Sequence, residues 1–171
     1  MNKKTVLLAQ AAIIAALYVV LTLLANALGL ANYAIQVRFS EALTILPYFT
    51  PAAIPGLFAG CILSNILTGC MPLDVIFGSI ATLLGAVGTY FLCGKANASA
   101  QTGNTKVFLA PVPPIIANTL IVPFVLAYVY QFEGSIPYFM LTVGIGEAIS
   151  CGVLGVLLLN VLNKYRKEIF K

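Results

Sequence analysis

Residues Val6–Leu28 read VLLAQAAIIAALYVVLTLLANAL, an uncharged run preceded by Lys3 and Lys4. A spanning helix needs roughly 20 apolar residues to cross a bilayer core, and this run supplies them. A secretory signal is the competing reading, because Ala25-Asn26-Ala27 resembles a small-x-small cleavage site. The run is too long for a signal's apolar region, and the chain behind it is equally apolar. It therefore reads as a retained first helix.

The composition agrees. Hydrophobic residues make up 61% of the 171 and charged residues only 8%, where soluble domains carry about a quarter charged. With a mean hydropathy of +1.02, this chain cannot build a water-soluble surface. An all-α integral membrane protein forming one domain over residues 1–171 is expected. The absence of histidine and tryptophan excludes imidazole bases and histidine-ligated metals. Cys61, Cys70, Cys93 and Cys151 stand singly in apolar surroundings without CxxC spacing, so they read as free, buried thiols. No metal, cofactor or enzymatic activity is expected.

Further segments follow. A short one runs from Phe39 to Phe49 and stops at Thr50-Pro51, where proline cannot continue a helix. Others cover about Ala52–Thr68, Asp74–Cys93, Pro113–Tyr130 and Pro137–Asn163, giving six transmembrane helices in all. Six crossings place both termini on one side. Lys3, Lys4, Lys95, Lys106, Lys164, Arg166, Lys167 and Lys171 then share that side, which the positive-inside rule makes cytoplasmic. Arg38 is left on the outer side. The net charge of +4 is thus a topology signal rather than a nucleic-acid surface. A multi-pass protein of a bacterial cytoplasmic membrane is the expectation.

Ionisable groups at membrane depth are costly and face a partner, water or a cavity. Glu147, in VGIGEAISCG, lies about ten residues into the last helix, roughly 15 Å from its outer end. It points into a cavity or makes a structural bond to a neighbouring helix. Asp74 either caps its helix or touches ligand. Glu133 reads as a solvated turn residue. Arg38 and Glu41 mark an outer gate or form an i,i+3 surface pair after Ser40 as N-cap. Tyr18, Thr22 and Asn26 share one helix face, and Asn65, Thr68 and Asn118 add polar groups. Most of these lie in the outer half, as an outward-opening pocket requires. Ala11-xxx-Ala15 and Ala12-xxx-Ala16 give flat patches for close helix approach.

Three stretches carry a resemblance. QVRFSEALTILPYFTPAAIPGLFAGCILSN (36–65), PLDVIFGSIATLLGA (72–86) and VGIGEAIS (143–150) resemble the QueT family, among the substrate-binding S-components of energy-coupling-factor transporters. The resemblance implies an S-component bundle that captures a queuosine precursor (preQ0, preQ1 or queuine) outside. It implies docking onto a membrane coupling (T) subunit driven by two ATP-binding subunits, with Ala11, Ala12, Ala15 and Ala16 on the coupling surface. Any ATP hydrolysis falls to those partners, because this chain has no GxxxxGK[ST] loop. The cargo's ring N–H donors would suit Glu147 or Glu41, and its carbonyl Arg38 or Asn118. Phe39, Tyr33 or Tyr48 would offer a stacking face, Asn65 a further polar contact, and Asp74 a partner for any cationic arm. The alternatives are an S-component for another vitamin, or a stand-alone proton-coupled transporter with Glu147 as proton carrier. The role of loop 94–106 is not legible.

Overall fold

The computed structural model describes residues 2–30, 36–94 and 104–166, with backbone alone for 104–106. The described chain is helical, without strands: α1 (Lys3–Ala27), a 3-10 segment (Phe39–Tyr48), α2 (Ala53–Leu67) and α3 (Pro72–Thr89) come first. The last continues as a π-helical turn (Tyr90–Gly94). Then follow α4 (Asn104–Leu109), α5 (Val112–Tyr128), α6 (Ile136–Glu147), a π-helical segment (Ala148–Leu154) and α7 (Gly155–Lys164).

Four spans are long and apolar enough to cross a membrane: Lys3–Ala27, Pro72–Gly94, Val107–Tyr128 and Ile136–Lys164. Large apolar side chains such as Leu8, Ile13, Leu63, Phe91, Leu120 and Val153 are exposed, while Thr22, Glu41, Asn65, Asp74, Asn118 and Glu147 are buried. Apolar outside and polar inside is the pattern of a bundle solvated by lipid. The chain is an integral membrane protein.

Two of the six expected segments differ from full spans. α2 has 15 residues, about 22 Å of helix. The segment from Phe39 to Tyr48 is a 3-10 helix with Ser40 through Tyr48 all buried. At about 2 Å of rise per residue it reaches roughly 20 Å, some 5 Å further than an α-helix of that length. Pro47 lies inside it and contributes no N–H to any helical ladder. It is the axial strut of the bundle, packed against α1, α2, α3, α7 and the π segment.

Helices α1 and α2 approach until backbones touch. A Cβ added at Gly56 would lie 2.7 Å from the Ala11 carbonyl oxygen, and one at Gly60 would lie 3.0 Å from that of Ala15. Small residues on both sides permit this. Ala11 and Ala15 therefore pack inside the fold against α2, while Ala12 and Ala16 remain exposed. At one end of the bundle Thr50 donates to Gln10 (2.9 Å), tying α1 to the turn before α2, and Thr89 donates to the Ala110 carbonyl (2.8 Å), tying α3 to the turn before α5. The cavity described next lies at the other end.

Candidate functional site

At that other end the C-terminal turns of α1, α2 and α5 meet the first turn of α3. They enclose a cavity of about 280 Å³. Its wall carries Thr22 and Asn26 from α1, Gln36 and Arg38 from the stretch before the 3-10 segment, and Asn65, Thr68, Gly69 and Cys70 from the end of α2. Asp74 from α3 and Val122, Leu126, Tyr130 and Phe132 from α5 and beyond complete it.

Asp74 does not cap its helix: Met71 occupies the cap position, and no side chain bonds there. Its carboxylate accepts the Tyr130 hydroxyl at 2.8 Å, and that phenol oxygen accepts the Met71 N–H at 3.3 Å. Burial, reinforced by the bond to Asp74, pushes the Tyr130 phenol above its ordinary range, so it remains a donor at neutral pH. The Tyr130 and Phe132 rings lie 5.6 Å apart at 32°. On the same lining, Arg38 bonds through its guanidinium to Gln36 Oε1 at 3.2 Å. Arg38 and Asp74 thus line one cavity and hold other partners, not each other.

Behind Arg38 lies a second polar group. Glu41 is 2% exposed and Glu147 9%. Glu41 accepts the Tyr18 hydroxyl from α1, and the Asn118 amide from α5 at a long 3.5 Å. The Cys151 thiol donates to Glu147 Oε2 at 3.0 Å, and Thr44 Oγ1 donates to the Glu41 carbonyl at 2.6 Å. Carboxylate oxygens of Glu41 and Glu147 and the Cys151 sulfur all lie within 4.8 Å of one another. This is the grouping, among the described residues, with the reach to share a cation.

Local sequence sets these positions. A Cβ at Gly146 would sit 2.3 Å from the Gln36 carbonyl oxygen, so glycine lets residues 36–38 lie directly on α6 beside Glu147. The Arg38 N–H donates to Ser150 Oγ at 3.1 Å, fixing the same stretch to the π segment. Gln36 and Arg38 turn their side chains to the cavity from this seat.

The expected site residues therefore divide. Arg38, Asp74 and Asn65 meet at the cavity. Glu41, Glu147 and Asn118 meet behind it. Arg38 and Glu41 form no surface pair, since each bonds elsewhere and Glu41 is buried. Ser40 is not a cap but accepts the Thr22 hydroxyl at 2.8 Å. Phe39 is half-buried at the start of the 3-10 segment and does not line the cavity. Tyr48 lies at the far end of that segment, in the apolar core with Cys93 and Val107, its ring edge-on to Phe49. Tyr33, Lys95, Lys167 and Lys171 lie outside the described residues. Sequence reasoning missed Gln36, Tyr130, Phe132 and Cys151. For Cys151 a signal existed: it sits four residues after Glu147, on the same helical face.

A lipid-solvated helical bundle that places Arg38 and Asp74 on the wall of a cavity at one end is an integral membrane protein with a polar chamber. The chain belongs to the QueT transporter family, whose family model matches residues 8–164. It is 37% identical over 83 residues to the queuosine precursor transporter QueT of Lactococcus lactis subsp. cremoris (strain MG1363). That aligned stretch covers 48% of this chain and 48% of the relative, so about half the relative's length is spanned. No solved structure matches the chain.

Proposed function

We propose that the protein is the substrate-capture subunit of an energy-coupling-factor importer and that its cargo is a queuosine precursor, a 7-deazaguanine. The observation carrying this is the cavity in which Arg38 and Asp74 face a common space while bonded to Gln36 and Tyr130. A 7-deazaguanine needs a donor for its ring carbonyl, acceptors for its ring N–H groups and a flat apolar surface. The Arg38 guanidinium provides the first, and the side-chain carbonyls of Asn26, Gln36 and Asn65 the second. Tyr130 and Phe132 provide the third. Glu41, Glu147 and Asn118 form a layer behind the ring, buttressing the stretch that carries Arg38.

The cavity opens to the outside on this account. Lys3, Lys4, Lys164 and Arg166 flank the opposite, cytoplasmic end, in keeping with the positive-inside rule. The single domain crosses six times, with the 3-10 segment as its shortest pass. The exposed Ala12 and Ala16 supply the flat surface for the coupling subunit, and two ATP-binding subunits drive release.

Purified protein should bind a 7-deazaguanine saturably and co-purify with a coupling subunit in mild detergent. The Glu41–Glu147 pair favours one rival, a stand-alone proton-coupled carrier. That rival requires uptake by this chain alone in vesicles, driven by a pH gradient and independent of ATP. The capture-subunit assignment predicts none.

A further inference from the structure

The far end of the α5–α6 hairpin has a core of its own. Leu126, Phe139 and Val143, with Val122 and Ala127 packed on them, form an apolar cluster separate from the larger core that joins α1, the 3-10 segment, α2 and α7. The near end of α5 is locked instead. A Cβ at Gly85 would lie 2.6 Å from Pro114 Cα, and one at Gly88 would lie 2.7 Å from Pro113 Cβ, so α3 and the first turn of α5 lie in close contact.

Each leg of the hairpin carries a bend point. In α5, Pro123 is buried inside the helix and supplies no N–H, which removes the rung to the Thr119 carbonyl. In the other leg, α6 gives way to the π segment Ala148–Leu154. Prolines and π-bulges are among the few features at which helices bend. At the free end, one side chain ties the hairpin down. Among the described residues, and apart from the helix ladders, the hydrogen bonds joining residues 124–143 to the rest of the fold are both made by the Tyr130 hydroxyl. It donates to Asp74 at 2.8 Å and accepts the Met71 N–H at 3.3 Å. Tyr130 is half-buried, and Met71 and Phe132 beside it are exposed, which puts the tie at the rim of the cavity.

We infer that the Tyr130 hydroxyl is the latch of the cavity. With its two bonds made, the hairpin closes the side of the cavity formed by Leu126, Tyr130 and Phe132. With them broken, the hairpin turns about Pro123 and the π segment and opens that side. Residues 36–38 are seated on Gly146 and Ser150, at the bend itself. Opening therefore moves the α5 wall and leaves the backbone that carries Gln36 and Arg38 in place. The latch is independent of the solute's identity.

Maleimide labelling of the purified full-length protein, with no ligand added, tests it. Cys70 precedes Met71, lines the cavity and is partly exposed, whereas Cys61, Cys93 and Cys151 are buried. Tyr130→Phe keeps the ring and removes both bonds, so Cys70 should label about ten- to a hundredfold faster, with the three buried thiols unchanged. Pro123→Ala restores the missing rung, which must break when the hairpin turns, and should slow Cys70 labelling by about threefold or more. A wild-type Cys70 rate in Tyr130→Phe overturns the latch. So does a rise shared by all four cysteines, which marks a general loosening of the fold. If Tyr130→Phe does not fold, Pro123→Ala still decides, because a wild-type rate there overturns the hinge on which the latch depends. The result does not depend on the cargo proposed above.

Discussion

Tyr18, in the C-terminal half of α1, donates its hydroxyl to the Glu41 carboxylate in the 3-10 segment, and both residues are buried. One turn on, Thr22 donates to Ser40. These two bonds fasten α1 to the axial strut beside the cavity. On the proposed function, the same helix carries the coupling surface at its other end.

Removing the Tyr18 hydroxyl should therefore loosen the strut. Tyr18→Phe leaves Glu41 buried with the long Asn118 contact alone, which should cost about 1–3 kcal/mol. A melting curve in detergent checks this, and an unchanged melting temperature would show that the bond does not support the fold.

The two alanine pairs should behave differently. Ala15→Trp drives a ring into the contact with Gly60 and should destabilise the protein by about 1–3 kcal/mol or more, as overpacking does. Ala12→Trp, on the exposed side, should leave the melting temperature and ligand binding unchanged. It should weaken association with the coupling subunit, read as co-purification yield. Wild-type yield from Ala12→Trp would move the coupling surface elsewhere.

This division shows where sequence reasoning reached its limit. The run from Val6 to Leu28 and the stop at Thr50-Pro51 carry strong signals, and the helices fall within a few residues of where hydropathy and proline put them. In a lipid-solvated helix, however, both faces are apolar, so alternating alanines do not say which pair meets α2. The 3-10 form of residues 39–48 and the π segment after Glu147 are equally silent, because hydrophobic periodicity scarcely distinguishes helix types over so few turns. Glu147, Glu41 and Asn118 stood out as polar groups in apolar surroundings, which is why that cluster was legible. Tyr48 was offered for stacking on ring chemistry alone, and its position in the core depends on packing that no local pattern records.

Cys70 provides a reporter of occupancy. It lines the cavity and is partly exposed, whereas Cys61, Cys93 and Cys151 are buried. A maleimide should label Cys70 first, and a bound 7-deazaguanine should slow that labelling. The same rate with and without saturating ligand would place the ligand outside this cavity.

Glu147→Gln separates a supporting role from a purely structural one. The amide keeps the shape, and removing an ionisable group from membrane depth relieves a cost, so the fold should survive. Affinity should fall about tenfold as the amide sets an N–H donor against the Cys151 thiol and disturbs the support behind the cavity. Unchanged affinity with a lowered melting temperature would make Glu147 a structural residue only.

The central claim is that Arg38 binds a 7-deazaguanine in the cavity it lines with Asp74. Titrating the wild-type protein and Arg38→Gln with 7-aminomethyl-7-deazaguanine by calorimetry tests it most directly. Glutamine retains a neutral donor of shorter reach and lacks the charge, so a charge-assisted bond to the ring carbonyl would be lost. One ligand should bind per wild-type chain, and Arg38→Gln should bind on the order of ten- to a hundredfold more weakly while melting at the wild-type temperature. Equal affinities, or no binding heat from the wild-type protein, would contradict the account.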